Sequence, residues 1–309
     1  MADCVTTDRI SKQFGEVRAV DEISLHVVEG EIYGFLGANG AGKTTTIRML
    51  LGMIRPTSGS AYLFGRRVHA DRRGIWDKVG YLVEIPYSYP DLTVRENLEI
   101  IRRLRHIPGP ACVDSIMEKL NLTQYHARLA RHLSLGNAQR LGLAKALIHD
   151  PKILILDEPA NGLDPAGIVE IRTLLQDLAA RKGVTVFISS HILGEISKFA
   201  NRVGIVHAGR LIEEVDTHRL DELRRRRLVV GARNNPAAQR ILEQHGYEVE
   251  DRPDGELFSV SGHGAIESPE RIAELLVAAH CPPTTLRVDE EDLESYFLRV
   301  TGAAGGRPS

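Results

Sequence analysis

Apolar and polar positions along this chain alternate between a period near two and a period near 3.6, the signature of interleaved strands and helices. Residues 1–30 read as strands. Glu31-Ile-Tyr-Gly-Phe-Leu36 is a short apolar run bounded by glycine, which predicts a buried strand, and Thr45 to Leu51 predicts a helix closed by Gly52. A turn cluster, Arg55-Pro-Thr-Ser-Gly59, precedes a strand over Ala61-Tyr-Leu-Phe64 that ends at Gly65. Val79-Gly-Tyr-Leu-Val83 predicts another strand, and its two-proline continuation, Glu84 to Pro90, predicts a loop. Thr93 and Glu96 form a capping-box pattern that opens helical periodicity over 93–150, broken at Pro108-Gly-Pro110. Val113, Ile116, Met117 and Leu120 share one helical face there. Ser134 is a natural N-cap for a helix running to Ile148. Ile153-Leu-Ile-Leu156 predicts a buried strand. Asp164 and Pro165 then start a helix with the stripe Ile168, Ile171, Leu175 and Leu178, ended by Gly183. Val184 to Ile188 is a further buried strand, and Val203–Val206 with Arg210–Ile212 reads as a hairpin around Ala208-Gly209.

The texture changes after Asp216. Asp221 to Arg227 reads as a charged helix containing four consecutive arginines, either a solvated linker or a contact for an anionic lipid or partner. Residues 228–301 then give the order βαββαβα, a ferredoxin-like unit with an extra helix. The expected organisation is an α/β domain over 1–220 with a helical subdomain at about 85–150, a small α+β domain over 221–301, and a disordered tail over 302–309.

Composition narrows the class. The chain has 309 residues, 43% hydrophobic and 26% charged, with a net charge of −2, so no basic field points to nucleic acid. Its three cysteines are scattered and odd in number, which predicts neither a disulfide framework nor a zinc site and suits a reducing cytosol. No apolar run approaches the roughly 18 residues of a membrane span. MADCVTTDRI lacks a signal-peptide core. Work at a membrane would need another chain to span it.

The chemistry gathers at strand ends. Gly37 to Thr44, GANGAGKT, fits the phosphate-binding loop. Gly37, Gly40 and Gly42 let successive N–H groups point into one concavity at a helix N-terminus. Lys43 supplies charge to a triphosphate and Thr44 a hydroxyl to Mg²⁺. Asp157 and Glu158 stand at the C-terminal end of the strand after Lys152, where open α/β sheets bind ligands. Asp157 is placed to orient Mg²⁺ and Glu158 to polarise an attacking water, against the plainer reading of two solvated carboxylates. Ser134 and Gly136 offer an anion site at a helix start, although most such serines are only caps. Phe14 is either a satellite core residue or a ring for a nucleobase. His191, ending Ser189-Ser-His191, is either structural or part of the same edge.

Taken together, GANGAGKT, LSLGN, ILILDEP, NGLD and SSH, in this order, resemble the ATP-binding subunit of ABC transporters over residues 5–215 or so. The resemblance implies that Phe14 stacks on adenine, and that Gly37, Asn39, Gly40, Gly42, Lys43, Thr44 and Thr45 form the Walker A loop. It implies that Ser134, Gly136 and Asn137 are the signature completing the ATP site of an opposite subunit. Asp157 is then the Walker B aspartate, Glu158 the general base, Asp164 the D-loop aspartate and His191 the switch histidine. Two departures stand out: Glu84 occupies the Q-loop position, and LSLGN replaces LSGGQ. Glu84 still offers an oxygen to Mg²⁺ or water. With the C-terminal EEDLESYFLRVTG, these resemble the bacitracin-resistance and lantibiotic-immunity type. The implied protein binds ATP and Mg²⁺, pairs with a second copy of itself or a similar chain, and drives a separate transmembrane permease from the cytoplasmic face. The rival readings are a soluble ATPase acting on nucleic acid or ribosomes, and a nucleotide-sensing regulator. For the C-terminal domain, dimer support and regulation are both open.

Overall fold

The computed structural model describes residues 3–69, 73–84, 86–252 and 256–302, and the chain divides into two compact units, Met1–His218 and Arg219–Ser309. The predicted tail lies, but for Gly302, outside the described residues.

The first unit opens with two long antiparallel strands, β1 (Asp3–Phe14) and β2 (Val17–Val28). β3 (Ile32–Leu36) leads to α1 (Lys43–Leu50). β4 (Ser58–Leu63), β5 (Arg66–Arg67), α2 (Arg73–Trp76) and β6 (Val79–Leu82) follow. A helical stretch then holds α3 (Val94–Leu104), α4 (Ala111–Lys119), two single 3-10 turns and α5 (Leu135–Leu147). β7 (Ile153–Asp157), α6 (Pro165–Lys182), β8 (Thr185–Ser190) and α7 (Leu193–Ile196) return to the sheet, and β9 (Arg202–His207) and β10 (Arg210–Asp216) form the hairpin.

Two sheets result. One is antiparallel, ordered β2-β1-β4-β5; the other is ordered β10-β9-β3-β8-β7-β6, parallel except at its β10 edge. β3, β7 and β8 are buried along their whole length, as strands covered on both faces must be, which is why they read as unbroken apolar runs. One core joins both sheets to α1 through Val5, Ile10, Phe35, Ile47, Leu50 and Phe187. Thr93 and Glu96 close the capping box on α3, with the Glu96 carboxylate accepting from the Thr93 N–H at 2.7 Å. That N–H and the Thr93 hydroxyl, which also donates to the carboxylate at 2.7 Å, hold the exposed Glu96 carboxyl below its usual range. Among the described residues no helix is long and apolar enough to cross a membrane, and the three cysteines are free.

In the second unit, α8 (Leu220–Leu223) is a single turn, followed by β11 (Arg226–Ala232), α9 (Asn235–Gln244), β12 (Glu248–Asp251), β13 (Phe258–Ser261), α10 (His263–Glu267), α11 (Pro269–Ala278), β14 (Pro283–Glu290) and α12 (Leu293–Val300). The sheet order is β12-β13-β11-β14, antiparallel throughout. The charged helix expected over Asp221 to Arg227 is corrected here: helix ends at Leu223 and Arg226 and Arg227 are strand residues. They stand opposite Glu290 and Asp289 of β14, and cross-strand opposite charges favour the ladder. Arg227 also pairs with Glu250 of β12 at 2.8 Å, and Arg224 and Arg226 pair with Glu290 of β14 at 3.5 and 3.4 Å, so three of the four arginines form ion pairs with this sheet.

Candidate functional site

β3, β8 and β7 are parallel neighbours, so their C-terminal ends form one edge. Everything chemical follows from what each strand carries just beyond that edge. β3 feeds the glycine-rich loop, whose Gly37 N–H donates to the Ser190 carbonyl at 3.2 Å and so stitches the loop to the end of β8. A Cβ at Gly37 would lie 2.6 Å from the Val206 carbonyl oxygen. Gly42 caps α1 at φ 103°, and a Cβ there would lie 2.5 Å from the Ala19 carbonyl oxygen. Both positions therefore admit only glycine, one for space and one for conformation as well. Ala38, Asn39 and Gly40 are exposed at the crest, and Thr45 is half-buried on the first turn of α1.

Lys43 is buried, and its ammonium donates to the Gly37 carbonyl at 2.6 Å and the Ala38 carbonyl at 3.3 Å. Thr44 Oγ1 donates to Asp157 Oδ2 at 2.8 Å, joining the loop helix to the end of β7. Asp157 is itself buried, and its Oδ1 accepts from Ser189 Oγ at 2.6 Å. The next residue, Glu158, adopts φ 48°, a left-handed conformation uncommon for a non-glycine residue; its N–H donates to the same Ser189 Oγ at 3.1 Å. Its Oε2 lies 2.9 Å from His191 Nδ1. Its Oε1 lies 3.3 Å from the Lys43 ammonium, yet is a buried acceptor with no hydrogen bond.

The structure thus brings Gly37, Lys43, Thr44, Asp157, Glu158 and His191 to one edge. It adds Ser189, which sequence reading passed over although it lies in the quoted SSH. A serine at a strand end is unremarkable until the register Asp157↔Ser189 is known. Glu84 is not on Thr44 or Asp157: its carboxylate accepts from Arg48 Nη2 at 2.6 Å. Phe14 is 50% exposed with the Lys12 ammonium 5.1 Å from its ring centre, so it is no core residue. Ser134 Oγ accepts from the Asn137 N–H at 3.3 Å, capping α5; Ser134 is exposed, Gly136 and Asn137 half-buried. Asp164 caps α6 by accepting from the Gly167 N–H at 3.0 Å.

The arrangement suits a polyphosphate. N–H groups and a lysine surround a concavity at a helix N-terminus, where the dipole favours anions. A Mg²⁺ ion prefers hard oxygen donors and keeps several waters, so the Thr44 hydroxyl and the Asp157 carboxylate fit it. Fold and site define a phosphate-loop ATPase with a helical stretch inserted between strands.

Comparison with known proteins agrees. The family model described as ABC transporter matches residues 20–161. The bacitracin transport ATP-binding protein BcrA of Bacillus licheniformis is 40% identical over 304 residues, covering 98% of each chain. The lantibiotic transport ATP-binding protein SrtF of Streptococcus pyogenes is 35% identical over 69% of this chain and 93% of its own. Among solved structures, an ATP-binding subunit of an ABC transporter superposes with a TM-score of 0.64 at 25% identity, covering 71% of this chain and 91% of the other. A dimeric cassette, MJ0796, bound to ADP and Pi has the same TM-score at 24% identity, over 69% and 98%, and shares the fold. The chain belongs to the ABC transporter family, as an ATP-binding cassette that hydrolyses ATP.

Proposed function

We propose that this chain is the ATPase subunit of an exporter, working on the cytoplasmic face of the membrane with a separate transmembrane permease, and that the cargo is a peptide antibiotic or similar drug. The carrying observation is that the likeness to the bacitracin transport protein runs through 98% of both chains, including the second unit that a bare cassette lacks. The domain reading goes with it: an ATP-binding domain over 1–220 with its helical subdomain, and a C-terminal α+β domain. The sheet order β12-β13-β11-β14 supports a ferredoxin-like arrangement for the latter.

The geometry of the strand-end edge supports the roles of the loop, Thr44, Asp157, Glu158 and His191, and the family resemblance supports those of Phe14 and the signature residues. Loop N–H groups and Lys43 bind the phosphates, and Phe14, exposed at the end of β1, offers a face to adenine. Thr44 and Asp157 would hold Mg²⁺, which would supply charge neutralisation to the phosphates. Glu158 takes a proton from the attacking water, and its unsatisfied Oε1 is the acceptor that supports this. His191 fixes that carboxylate, and Ser189 Oγ holds the backbone N–H of the same residue. Ser134, Gly136 and Asn137 close over the γ-phosphate of a second copy, so ATP joins two chains and hydrolysis releases them.

The test is affinity purification of the Glu158→Gln protein with ATP from detergent-solubilised native membranes. A multi-span protein recovered in fixed ratio is the expected result. Recovery of ribosomes or soluble proteins alone would overturn the export reading and leave the ATPase standing.

A further inference from the structure

Leu135 opens α5, between the capping Ser134 and Gly136, and stands where LSGGQ has its first glycine. It is 59% exposed, and part of the remainder covers Gly162. Gly162 adopts φ 78°, and a Cβ built there would lie 2.2 Å from Leu135 Cδ2 and 2.4 Å from its Cγ, so the isobutyl group rests on the Gly162 backbone. Gly136 lies against the next residue: a Cβ there would be 3.3 Å from Leu163 Cδ2. One turn along α5, the buried Gln139 donates from Nε2 to the Glu158 carbonyl at 3.4 Å. Residues 135 and 139 share a helix face. The segment they meet is itself a compact turn. Its Asn161 N–H donates to the Glu158 carbonyl at 3.1 Å, and its Leu163 N–H to the Ala160 carbonyl at 3.2 Å. It begins with Glu158, held at φ 48°. The first turn of α5 thus grips the segment that carries its own chain's base, at one end through Gln139 and at the other through Leu135. Burial and dispersion favour keeping the Gly162 turn against the leucine, and a glycine at position 135 would forfeit that contact.

We propose that Leu135 is a positioning residue that acts within its own chain: seated on Gly162, it holds the Glu158 segment in place for hydrolysis, while its neighbours Ser134, Gly136 and Asn137 serve the nucleotide of a second copy. This rests on the paired-ATPase reading above.

Mixed dimers separate an effect on the chain's own base from one on the second copy's nucleotide, read by single-turnover hydrolysis of γ-labelled ATP. In each mixture a trace of one chain meets a large excess of a Glu158→Gln partner, so hydrolysis reports the one intact base. Trace Leu135→Ala with excess Glu158→Gln places the substitution in the chain that carries that base. Trace wild type with excess Leu135→Ala/Glu158→Gln places it in the opposite chain. The reference is trace wild type with excess Glu158→Gln. The first mixture should be slower than the reference by about three- to thirtyfold, within the roughly 10²-fold that a 1 Å misplacement can cost, and the second should match it. ATP affinity and Tm of Leu135→Ala stay close to wild type, and Leu135→Met keeps most of the rate. Hydrogen exchange over residues 159–163 rises in Leu135→Ala without nucleotide, a readout that needs no second copy. A loss in the first mixture no greater than that in the second, or unchanged exchange, would overturn the proposal. Absence of an ATP-bound dimer of Glu158→Gln in size-exclusion chromatography would instead sink the paired reading. Should Leu135→Ala not fold, Leu135→Gln, which keeps length and helix preference without the apolar contact, is read the same way.

Discussion

His191 Nδ1 and Glu158 Oε2 lie 2.9 Å apart, each one residue past the end of its own strand, on neighbouring parallel strands. The contact fixes one oxygen of the carboxylate while the other faces Lys43. His191→Ala should therefore lower kcat by about 10²-fold, the lower range for a positioned acid–base group, while ATP affinity changes little. Steady-state hydrolysis beside equilibrium binding checks this; equal losses in both would place His191 in binding instead.

Gly42→Ala tests the cradle. The added methyl group meets the Ala19 carbonyl at 2.5 Å and the backbone is at φ 103°, so the loop must move. Nucleotide binding should be lost or weakened at least about tenfold, with a strain cost of order 1–3 kcal/mol. Isothermal titration with ATP and a thermal melt report the two effects separately.

Thr93→Ala removes the acceptor for the Glu96 N–H and one half of the capping box. The expected cost is about 1 kcal/mol, a fall in Tm of roughly 2–4 °C for a unit of this size. ATP hydrolysis by the isolated chain should be unaffected.

Lys145 gives a pH signature. Its ammonium on α5 donates to the Tyr87 carbonyl and Ser88 Oγ, both at 2.9 Å, tying the loop after β6 to the helix. Burial lowers its pKa to about 8. The unfolded chain keeps that proton to about pH 10.4. Between these values the unfolded state binds the extra proton, so stability rises with pH. Below pH 8 the cost of burying the charge is fully present. Denaturant melts at pH 7.5 and 9.5 should show wild type gaining on Lys145→Met as pH rises. A constant difference would contradict the assignment.

What the sequence disclosed divides along physical lines. The phosphate loop was legible because its geometry is local: glycines where side chains cannot fit, then a helix. Asp157 and Glu158 were legible because an unbroken apolar run has to be a covered strand, and its end has to be an edge. Ser189 was not, since its role needs the register that sets it opposite Asp157. The Arg48–Glu84 pair joins residues on α1 and beyond β6, and no local period reveals it. The arginine run was misread because charge density resembles a solvated helix; only β14, opposite it in the sheet, makes Arg226 and Arg227 strand residues.

The central claim is that this cassette hydrolyses ATP with Glu158 as the base. Single-turnover hydrolysis of γ-labelled ATP by wild type and Glu158→Gln tests it most directly. The account predicts release of labelled phosphate by wild type, a loss of about 10²–10⁴-fold in the variant, and retained ATP binding with accumulation of an ATP-bound dimer. Hydrolysis by Glu158→Gln at the wild-type rate would contradict it.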